Sequence, residues 1–278
     1  MIKHLKLFQE SSQYESFING DGVVLPNVSY IEGEELVWFN PYYEEPSNPN
    51  LVCTYNVTST ASTTTLCYRV DNLSKMVIDG VEMEPSTTYK FNSTGEHSVE
   101  YVLTDPTLIK NFGFYNCTAL TSIRIPASVT NVDTGSLNNC TGLESIVVDS
   151  KNTKYHSGND DNCIVERDTN MLINGCKNTI IPDGVVRIKQ GAFQFVTGLK
   201  SITIPATVTI IDPSAFYGCS DLAEIISLAT VAPSLEYNSF RNVKSNGVLK
   251  YPSGSDYSSW LSTETYYLGN SNWTSETF

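Results

Sequence analysis

Apolar residues recur at a fixed spacing through the middle of the chain. The segment IKNFGFYNCTALTSIRIPASV, which begins at Ile109, is followed at a shift of 23 residues by VDTGSLNNCTGLESIVVDS. The segments VVRIKQGAFQFVTGLKSITIPATV and TIIDPSAFYGCSDLAEIISLA are related by the same shift. Apolar positions that match at one period are typical of stacked structural repeats. A degenerate fifth unit contains Phe240 and Val243, each 24 residues after its counterpart.

Each repeat predicts one strand and one turn. In L-x-x-I-x-I-P, apolar and polar residues alternate as in a strand, and the proline ends the strand because it cannot donate to a sheet. In A-F-x-x-C-x-x-L, the apolar residues are spaced as in a short helical turn. Stacked units therefore predict a mostly β solenoid over residues 106–252, with a parallel sheet on one side and the turns on the other. The repeat positions that point inward are Phe114, Cys117, Cys140, Phe193, Phe216 and Cys219.

One longer interval interrupts the repeats. Leu137 and Phe193 are 56 residues apart, which exceeds two periods and predicts a further coil with an insertion. Within it, CIVERDTNMLING predicts a β-hairpin around residues 167–170. The following NTIIPDGV reproduces the strand and proline of the other units.

The full pattern A-F-x-x-C-x-x-L-x-x-I-x-I-P-x-x-V resembles the BspA-like leucine-rich repeat. This family is common on the surfaces of gut Bacteroidetes and other host-associated microbes. The resemblance implies a right-handed solenoid that acts in adhesion or recognition, without catalysis. The chain departs from the pattern at Val196, at Leu137 and in the inserted hairpin.

The segments that precede the repeats predict two further parts. Residues 1–46 predict a short helix at 10–18 and two apolar runs, too little for a core of their own, so this acidic segment is expected to dock on a partner or on the next domain. Residues 47–105 alternate in short strands and predict a small antiparallel β-sandwich. Its Cys53 and Cys67 lie on neighbouring strands and either form a disulfide or, as we favour, remain buried thiols.

Residues 253–278 predict an aromatic C-terminal cap. The final coil of a solenoid must be covered, and aromatic side chains cover a large area per residue. A platform on which carbohydrate stacks is the alternative. The aromatic residues concerned are Trp260, Tyr266, Tyr267 and Trp273.

Charge argues against some classes of partner. The chain has 30 acidic and 17 basic residues, a net charge of −13, whereas residues 106–252 carry equal numbers of each sign. This balance repels a phosphate backbone, so nucleic-acid binding is not expected. No run of about 18 apolar residues is present, so no membrane insertion is expected. The first ten residues lack the apolar core of a signal peptide, and a chain that starts at its native Met1 is therefore expected not to use the general secretory route.

Candidate chemistry is sparse. His4, His97 and His156 have no second ligand at a suitable spacing, so neither a metal nor a cofactor is expected. The loop GNDDN at residues 158–162 offers oxygen ligands to calcium but lacks the spaced D-x-D-x-D pattern, which favours an ordinary loop. Cysteines that recur at a structural period are expected to be core residues, and no catalytic residue is assigned.

Outward positions that alternate with the inward isoleucines form the predicted binding face. Its side chains are small and mostly uncharged, which suits a bacterial surface protein or glycan bound through shape, hydroxyl groups and a few apolar contacts. These positions are Ser122, Arg124, Ser145, Val147, Ile180, Ser201, Thr203, Glu224 and Ile226.

Three functions fit these features. Flanking segments such as YESFINGDGVVLPNVSYIEGEELVWFNPY and YPSGSDYSSWLSTETYYLGNSNW are similar to segments of predicted proteins from gut bacteria and their tailed phages. This similarity favours a phage virion protein, associated with a tail or fibre, that attaches to other virion proteins through residues 1–46 and recognises a bacterial surface through the solenoid. The alternatives are a bacterial cell-surface adhesin without its export signal, and a structural or decoration protein of a virion with no external ligand.

Overall fold

The computed structural model describes residues 50–109, 113–133, 135–158, 162–264 and 267–278, and the backbone of residues 15–18, 24–29 and 37–38. The chain divides into two units, Met1–Pro46 and Ser47–Phe278.

The first unit contains a three-stranded antiparallel sheet. Its strands are β1 (Glu15–Ile18), β2 (Val24–Ser29) and β3 (Val37–Trp38), in the order β1-β2-β3. The helix predicted at 10–18 is wrong over β1, because pairing with β2 satisfies the backbone of a segment too short to be stable as a helix alone. Whether this unit docks on a partner stays a prediction.

The second unit is built from short strands. Up to residue 109 they are β4 (Leu51–Val57), β5 (Thr64–Thr65), β6 (Leu73–Ile78), β7 (Val81–Met83), β8 (Thr88–Tyr89), β9 (Gly95–Leu103) and β10 (Leu108–Ile109). Those that follow are β11 (Leu120–Ile125), β12 (Asn131–Val132), β13 (Ser145–Val148), β14 (Tyr155–His156), β15 (Cys163–Glu166), β16 (Met171–Gly175), β17 (Arg187–Ile188), β18 (Ser201–Ile204), β19 (Ile210–Ile211), β20 (Glu224–Ser227), β21 (Ser234–Leu235), β22 (Val248–Tyr251) and β23 (Thr274–Thr277). Two 3-10 helices, Ser258–Leu261 and Leu268–Ser271, lie between β22 and β23.

Each regular coil has a longer strand and a two-residue strand. The longer strands pair in parallel as β11-β13 and as β18-β20-β22-β23. The two-residue strands pair in parallel as β10-β12 and as β17-β19-β21. Along β18, Ile202 and Ile204 are buried, while Ser201 and Thr203 are exposed. The predicted solenoid with a parallel sheet is therefore confirmed.

The turn that carries the A-F-x-x-C segment is tighter than an α-helix. Ala215, Cys219 and Leu222 each donate a backbone N–H to the carbonyl three residues earlier, as in a 3-10 turn. Neighbouring turns also bond to each other, as in the 2.7 Å bond from the N–H of Phe193 to the carbonyl of Ala215. The turn side of the solenoid is thus held together by backbone hydrogen bonds between coils.

The inserted hairpin lies inside the solenoid. β15 and β16 pair antiparallel, which confirms the predicted hairpin, and β16 then pairs in parallel with β17. Ile164 and Ile173 pack in the core that precedes the hairpin, whereas Val165 and Leu172 pack in the core that follows it. The segment NTIIPDGV forms no strand, and β13 and β18 belong to different sheets. The hairpin therefore replaces a regular coil and separates the two ladders of longer strands.

Aromatic rings fill the turn side of the second core. Phe193, Phe216 and Phe240 stack with ring centroids 4.8 and 5.1 Å apart, and Trp260 follows Phe240 at 5.4 Å. Gly175 lies at the other end of the stack, next to Phe193. The residue there is a glycine because a Cβ would be 2.1 Å from the ring of Phe193. Trp260 is fully buried, so the C-terminal segment covers the end of the stack.

The C-terminal segment also extends the solenoid beyond the predicted boundary at residue 252. β23 adds a parallel strand to β22. The hydroxyl groups of Tyr257 and Ser227 lie 2.6 Å apart, and Nε1 of Trp273 donates to the carbonyl of Lys244 at 2.7 Å. These bonds satisfy the polar ends of aromatic side chains that are otherwise buried.

The strands at residues 51–103 pair with the solenoid, and the small antiparallel β-sandwich expected for residues 47–105 stays a prediction. β4 pairs antiparallel with β11, which gives one mixed sheet in the order β13-β11-β4-β9-β6-β7. β5 and β8 form a small second sheet, and the hydroxyl groups of Tyr55 and Tyr101 both donate to the carbonyl of Leu66, which follows β5. The physical reason is that β11 would otherwise present an unpaired edge, which β4 covers.

Candidate binding surface

The predicted binding face is divided between two sheets. Four of its residues lie on β11 and β13, where Ser122 is paired with Ser145 and Arg124 with Val147. Four others lie on β18 and β20, where Ser201 is paired with Glu224 and Thr203 with Ile226. The ninth, Ile180, lies on no strand and is 67% exposed. We call the first set the first patch and the second set the second patch.

The first patch continues onto β4. The hydroxyl of Ser122 donates to Oγ1 of Thr54 at 3.0 Å, and Arg124 is paired with Val52 of β4. The guanidinium of Arg124 also lies 3.4 Å from the carboxylate of Asp149, which is only 4% exposed. Arg124 therefore neutralises a buried charge in addition to lying on the face.

The second patch continues onto β22 and β23. Glu224 is paired with Val248, and Ile226 with Lys250. The ammonium group of Lys250 lies 2.6 Å from Glu224 and 3.8 Å from Glu276, and its hydrogen bond to Glu224 raises the pKa of Lys250. The charges on this patch thus compensate one another at short range.

Sequence reasoning missed the residues that extend both patches. Val52 and Thr54 were assigned to a separate domain, so their antiparallel pairing with β11 was not anticipated. The segment VLKYP carried a usable signal, since Leu249 is buried between the outward Val248 and Lys250. β23 offered no such signal, because all four of its residues are exposed.

The repeat positions lie in the interior. All six are buried. The thiol of Cys140 donates to the carbonyl of Phe114 at 2.9 Å, and that of Cys219 donates to the carbonyl of Phe193 at 3.0 Å. Burial raises the pKa of Cys140 to about 12, which keeps the thiol protonated and unreactive at neutral pH.

None of the seven cysteines forms a disulfide, and all seven are buried. Cys53 and Cys67, for which the sequence left a disulfide open, are both thiols in the core around β4. Burial raises the pKa of Cys67 to about 12 and that of Cys53 well above its usual value.

Ser93, His97 and Asp79 lie in the order of a hydrolase triad. Nδ1 of His97 is 2.7 Å from the carboxylate of Asp79, but Nε2 is 3.5 Å from Oγ of Ser93 and closer, at 3.1 Å, to the carbonyl of the same residue. A general base accepts the serine proton across about 2.6–3.2 Å. Because Nε2 lies closer to the carbonyl of Ser93 than to its hydroxyl, this histidine links the turn at residue 93 to Asp79 and lacks the geometry of a base poised on the serine.

Other predicted sites have different outcomes. Residues 159–161 of the GNDDN loop, and Tyr266 of the aromatic cap, lie outside the described residues. Trp260 and Trp273 are buried, so their rings are not available as a platform for carbohydrate. Within the described part of the chain, no three His, Cys, Asp or Glu side chains are placed to hold a metal ion. No helix in this part has the length and apolar character needed to cross a membrane.

Several solved structures are similar to this chain. A leucine rich cell surface protein from Faecalibacterium prausnitzii is 26% identical over 48% of this chain and 38% of its own, with a TM-score of 0.35. A leucine-rich repeat protein from Eubacterium ventriosum is 24% identical over 50% of this chain and 44% of its own, with a TM-score of 0.37. One from Bacteroides ovatus is 21% identical over 61% of this chain and 39% of its own, with a TM-score of 0.31. The chain thus spans less than half the length of these proteins. No curated protein gives a significant match.

A protein-family comparison identifies the repeats. The model described as BspA type leucine rich repeat region matches residues 87–167 and 172–265, in six copies. The matched region begins before and ends after the repeats recognised from the sequence pattern, while β4 and β23, which extend the sheets, lie outside it. It includes more than half of the chain, and the chain therefore belongs to the BspA-type leucine-rich repeat family.

Proposed function

We propose that the chain is a non-enzymatic adhesion module that binds a surface protein or glycan through the first and second patches. The observation that carries this proposal is the alternation along the longer strands. Ile202 and Ile204 are committed to the core, whereas Ser201 and Thr203 are exposed with no apolar partner to bury them. Membership of the repeat family supports the same function, because the family resemblance implies recognition without catalysis.

The cell surface is the setting that we propose. The family match supports the bacterial cell-surface alternative better than a virion protein of a phage tail or fibre, or a virion decoration protein. The location of the gene provides a direct test. A gene that lies among tail and capsid genes would overturn the cell-surface proposal and restore the virion one.

Binding to bacterial cells tests the patches. We choose Val147→Trp combined with Thr203→Trp, because both side chains are exposed and a bulky ring at each blocks one patch. Arg124 is left in place, because its removal would leave the buried Asp149 without its cation. Ala206→Trp is the matched control, since Ala206 is exposed just beyond β18 and outside the patch.

We expect the double variant to bind cells at least tenfold more weakly than the wild type and the A206W control to bind normally. Because the charges on the second patch compensate one another, binding is expected to change little between about 0.05 and 0.5 M salt. A folded double variant that binds as well as the wild type would move the function away from both patches.

A further inference from the structure

A row of outward side chains lies on the turn side of the solenoid, away from both patches. In each turn, two apolar residues point inward and two residues lie between them on the turn side, most of them at least partly exposed, with Asn138 buried. Phe114 and Cys117 are buried, for example, while Asn116 is exposed and Tyr115 is partly exposed. We call the outer pairs of four successive turns, together with Tyr68, the turn ridge. It consists of Tyr68 and residues 115–116, 138–139, 194–195 and 217–218.

These four turns are direct neighbours in space. The N–H of Asn116 donates to the carbonyl of Asn138 at 3.1 Å, and the N–H of Phe195 donates to the carbonyl of Tyr217 at 2.8 Å. The two pairs are joined by Nδ2 of Asn138, which donates to Oε1 of Gln194 at 2.8 Å. With no less than about 4.8 Å between neighbouring turns, the row is at least about 14 Å long.

The ridge has aromatic rings at both ends and amides between them. Tyr68, which is 60% exposed, packs edge to face on Tyr115 with ring centroids 5.8 Å apart. At the other end, Phe195 and Tyr217 pack edge to face at 5.2 Å. Between these pairs lie the amide side chains, including the 2.7 Å bond from Asn139 to Asn116. Every side chain of the ridge is uncharged.

Phe195 has a backbone conformation that does not suit its side chain. Its φ is +61°, in the left-handed region that bulky residues avoid. The equivalent positions are occupied by residues that tolerate this region, Asn116, Asn139, Gly218 and Asn242. A Cβ on Gly218 would lie 2.5 Å from the ring of Phe195. The ring therefore fits only because the equivalent position in the next turn is a glycine.

The strain has no explanation in the core. The ring of Phe195 lies on the outer side of the turn, where Asn or Gly would suit the backbone better, and it is only partly covered. Backbone strain of this kind is characteristic of functional sites. The ring packs on Tyr217 and is partly exposed, so its exposed part is a candidate contact for a ligand.

We propose that the turn ridge binds a neutral oligosaccharide. The rings at its two ends would stack on the C–H faces of sugar units, and the amides of Asn116, Asn139 and Gln194 would exchange hydrogen bonds with hydroxyl groups, since an amide both donates and accepts. The length of the ridge fits a chain of several sugars instead of a single one. This site is separate from the two patches and does not depend on the function proposed for them.

Phe195→Asn combined with Tyr217→Asn tests the proposal without disturbing the repeat. Asparagine is the residue that the chain itself has at the equivalent positions, Asn139 and Asn138. The probe is a microarray of neutral and acidic oligosaccharides, followed by titration of the bound sugars against each variant. The A206W protein serves as the matched control, because Ala206 is exposed and lies outside both patches and the ridge. V147W/T203W is measured beside it to detect any sugar binding on the strands.

We expect the wild type to bind neutral oligosaccharides of several units, the F195N/Y217N protein to bind them at least tenfold more weakly, and the A206W control to bind them normally. The proposal is overturned if the wild type binds no neutral oligosaccharide on the array, or if F195N/Y217N binds as well as the wild type. Loss of sugar binding in V147W/T203W alone would assign the sugar to the strands and overturn it as well. Cell binding by these same proteins reports separately on the patches, so the two proposals can fail independently.

Discussion

Substitution of Phe216 is the most direct test of the stacked core. It is fully buried between the rings of Phe193 and Phe240, at centroid distances of 4.8 and 5.1 Å. Phe216→Ala leaves a cavity, and such changes cost about 3–5 kcal/mol. Each lost ring pair is worth about 0.5–1.5 kcal/mol beyond burial, which places the expected loss at the upper end of that range, about 5 kcal/mol.

Phe216→Leu separates stacking from burial. Leucine is the residue that the chain has at the equivalent position 137, so it keeps an apolar side chain there and removes only the ring pairs and some volume. We expect a loss of about 1–3 kcal/mol for this variant. Denaturant unfolding followed by circular dichroism measures both values, and the alanine variant should melt about 10–20 °C below the wild type. An alanine variant that loses less than about 2 kcal/mol, or a leucine variant that loses nothing, would refute the stacked arrangement.

The remaining predictions concern the core, the thiols and the strained turn. Ile202→Asp, at a position that is 3% exposed, is expected to prevent folding at a cost of about 3–5 kcal/mol, while Thr203→Asp beside it stays folded; a soluble I202D protein that melts cooperatively would disprove the strand register. Alkylation after unfolding without reductant should label Cys117, Cys140 and Cys219, and a disulfide between any two of them, seen by mass spectrometry, would contradict the buried-thiol interpretation. Because burial raises the pKa of Cys140 to about 12, the unfolded chain releases its proton near pH 9 while the folded chain keeps it. The free energy of unfolding should therefore fall as the pH rises from about 9 to 12, by about 1.4 kcal/mol per pH unit for this thiol, and Cys140→Ala should remove that share of the slope; an unchanged slope would speak against burial. Phe195→Asn alone should raise the free energy of unfolding by about 1 kcal/mol or more, because asparagine tolerates the left-handed region; a decrease would mean that the ring stabilises the turn.

The repeats could be predicted from the sequence because their contacts are periodic. A residue such as Ile202 packs on its counterparts one period away, so the same apolar position appears again in the next unit and reveals the strand register. The hairpin was also predictable, because β15 and β16 are adjacent in sequence and alternate around a turn. In both cases the information that defines the contact lies within a short stretch of the chain.

The remaining features depend on pairings that no short stretch contains. β4 pairs with β11, which begins more than sixty residues later, so the strands at residues 51–103 gave no sign that they extend the solenoid. The bond between Arg124 and the buried Asp149 joins two strand ends, and it changes Arg124 from a simple surface residue into one that also supports the fold. Phe195 occupies a position that the repeat pattern leaves open, and only its φ shows that the backbone there suits asparagine or glycine.

The hairpin explains why the turn side offers the longer continuous surface. Between β13 and β18 it takes the place of a regular coil, so the longer strands form two separate ladders and each patch is limited to its own sheet. On the turn side a side-chain bond bridges the insertion, because Asn138 donates directly to Gln194 although 56 residues separate them. An extended ligand on the strands must therefore cross a break in the sheet, whereas one on the turns follows hydrogen-bonded neighbours from residue 115 to residue 217. An insertion that divides one surface of the solenoid thus preserves the other, and the two surfaces are free to serve different partners.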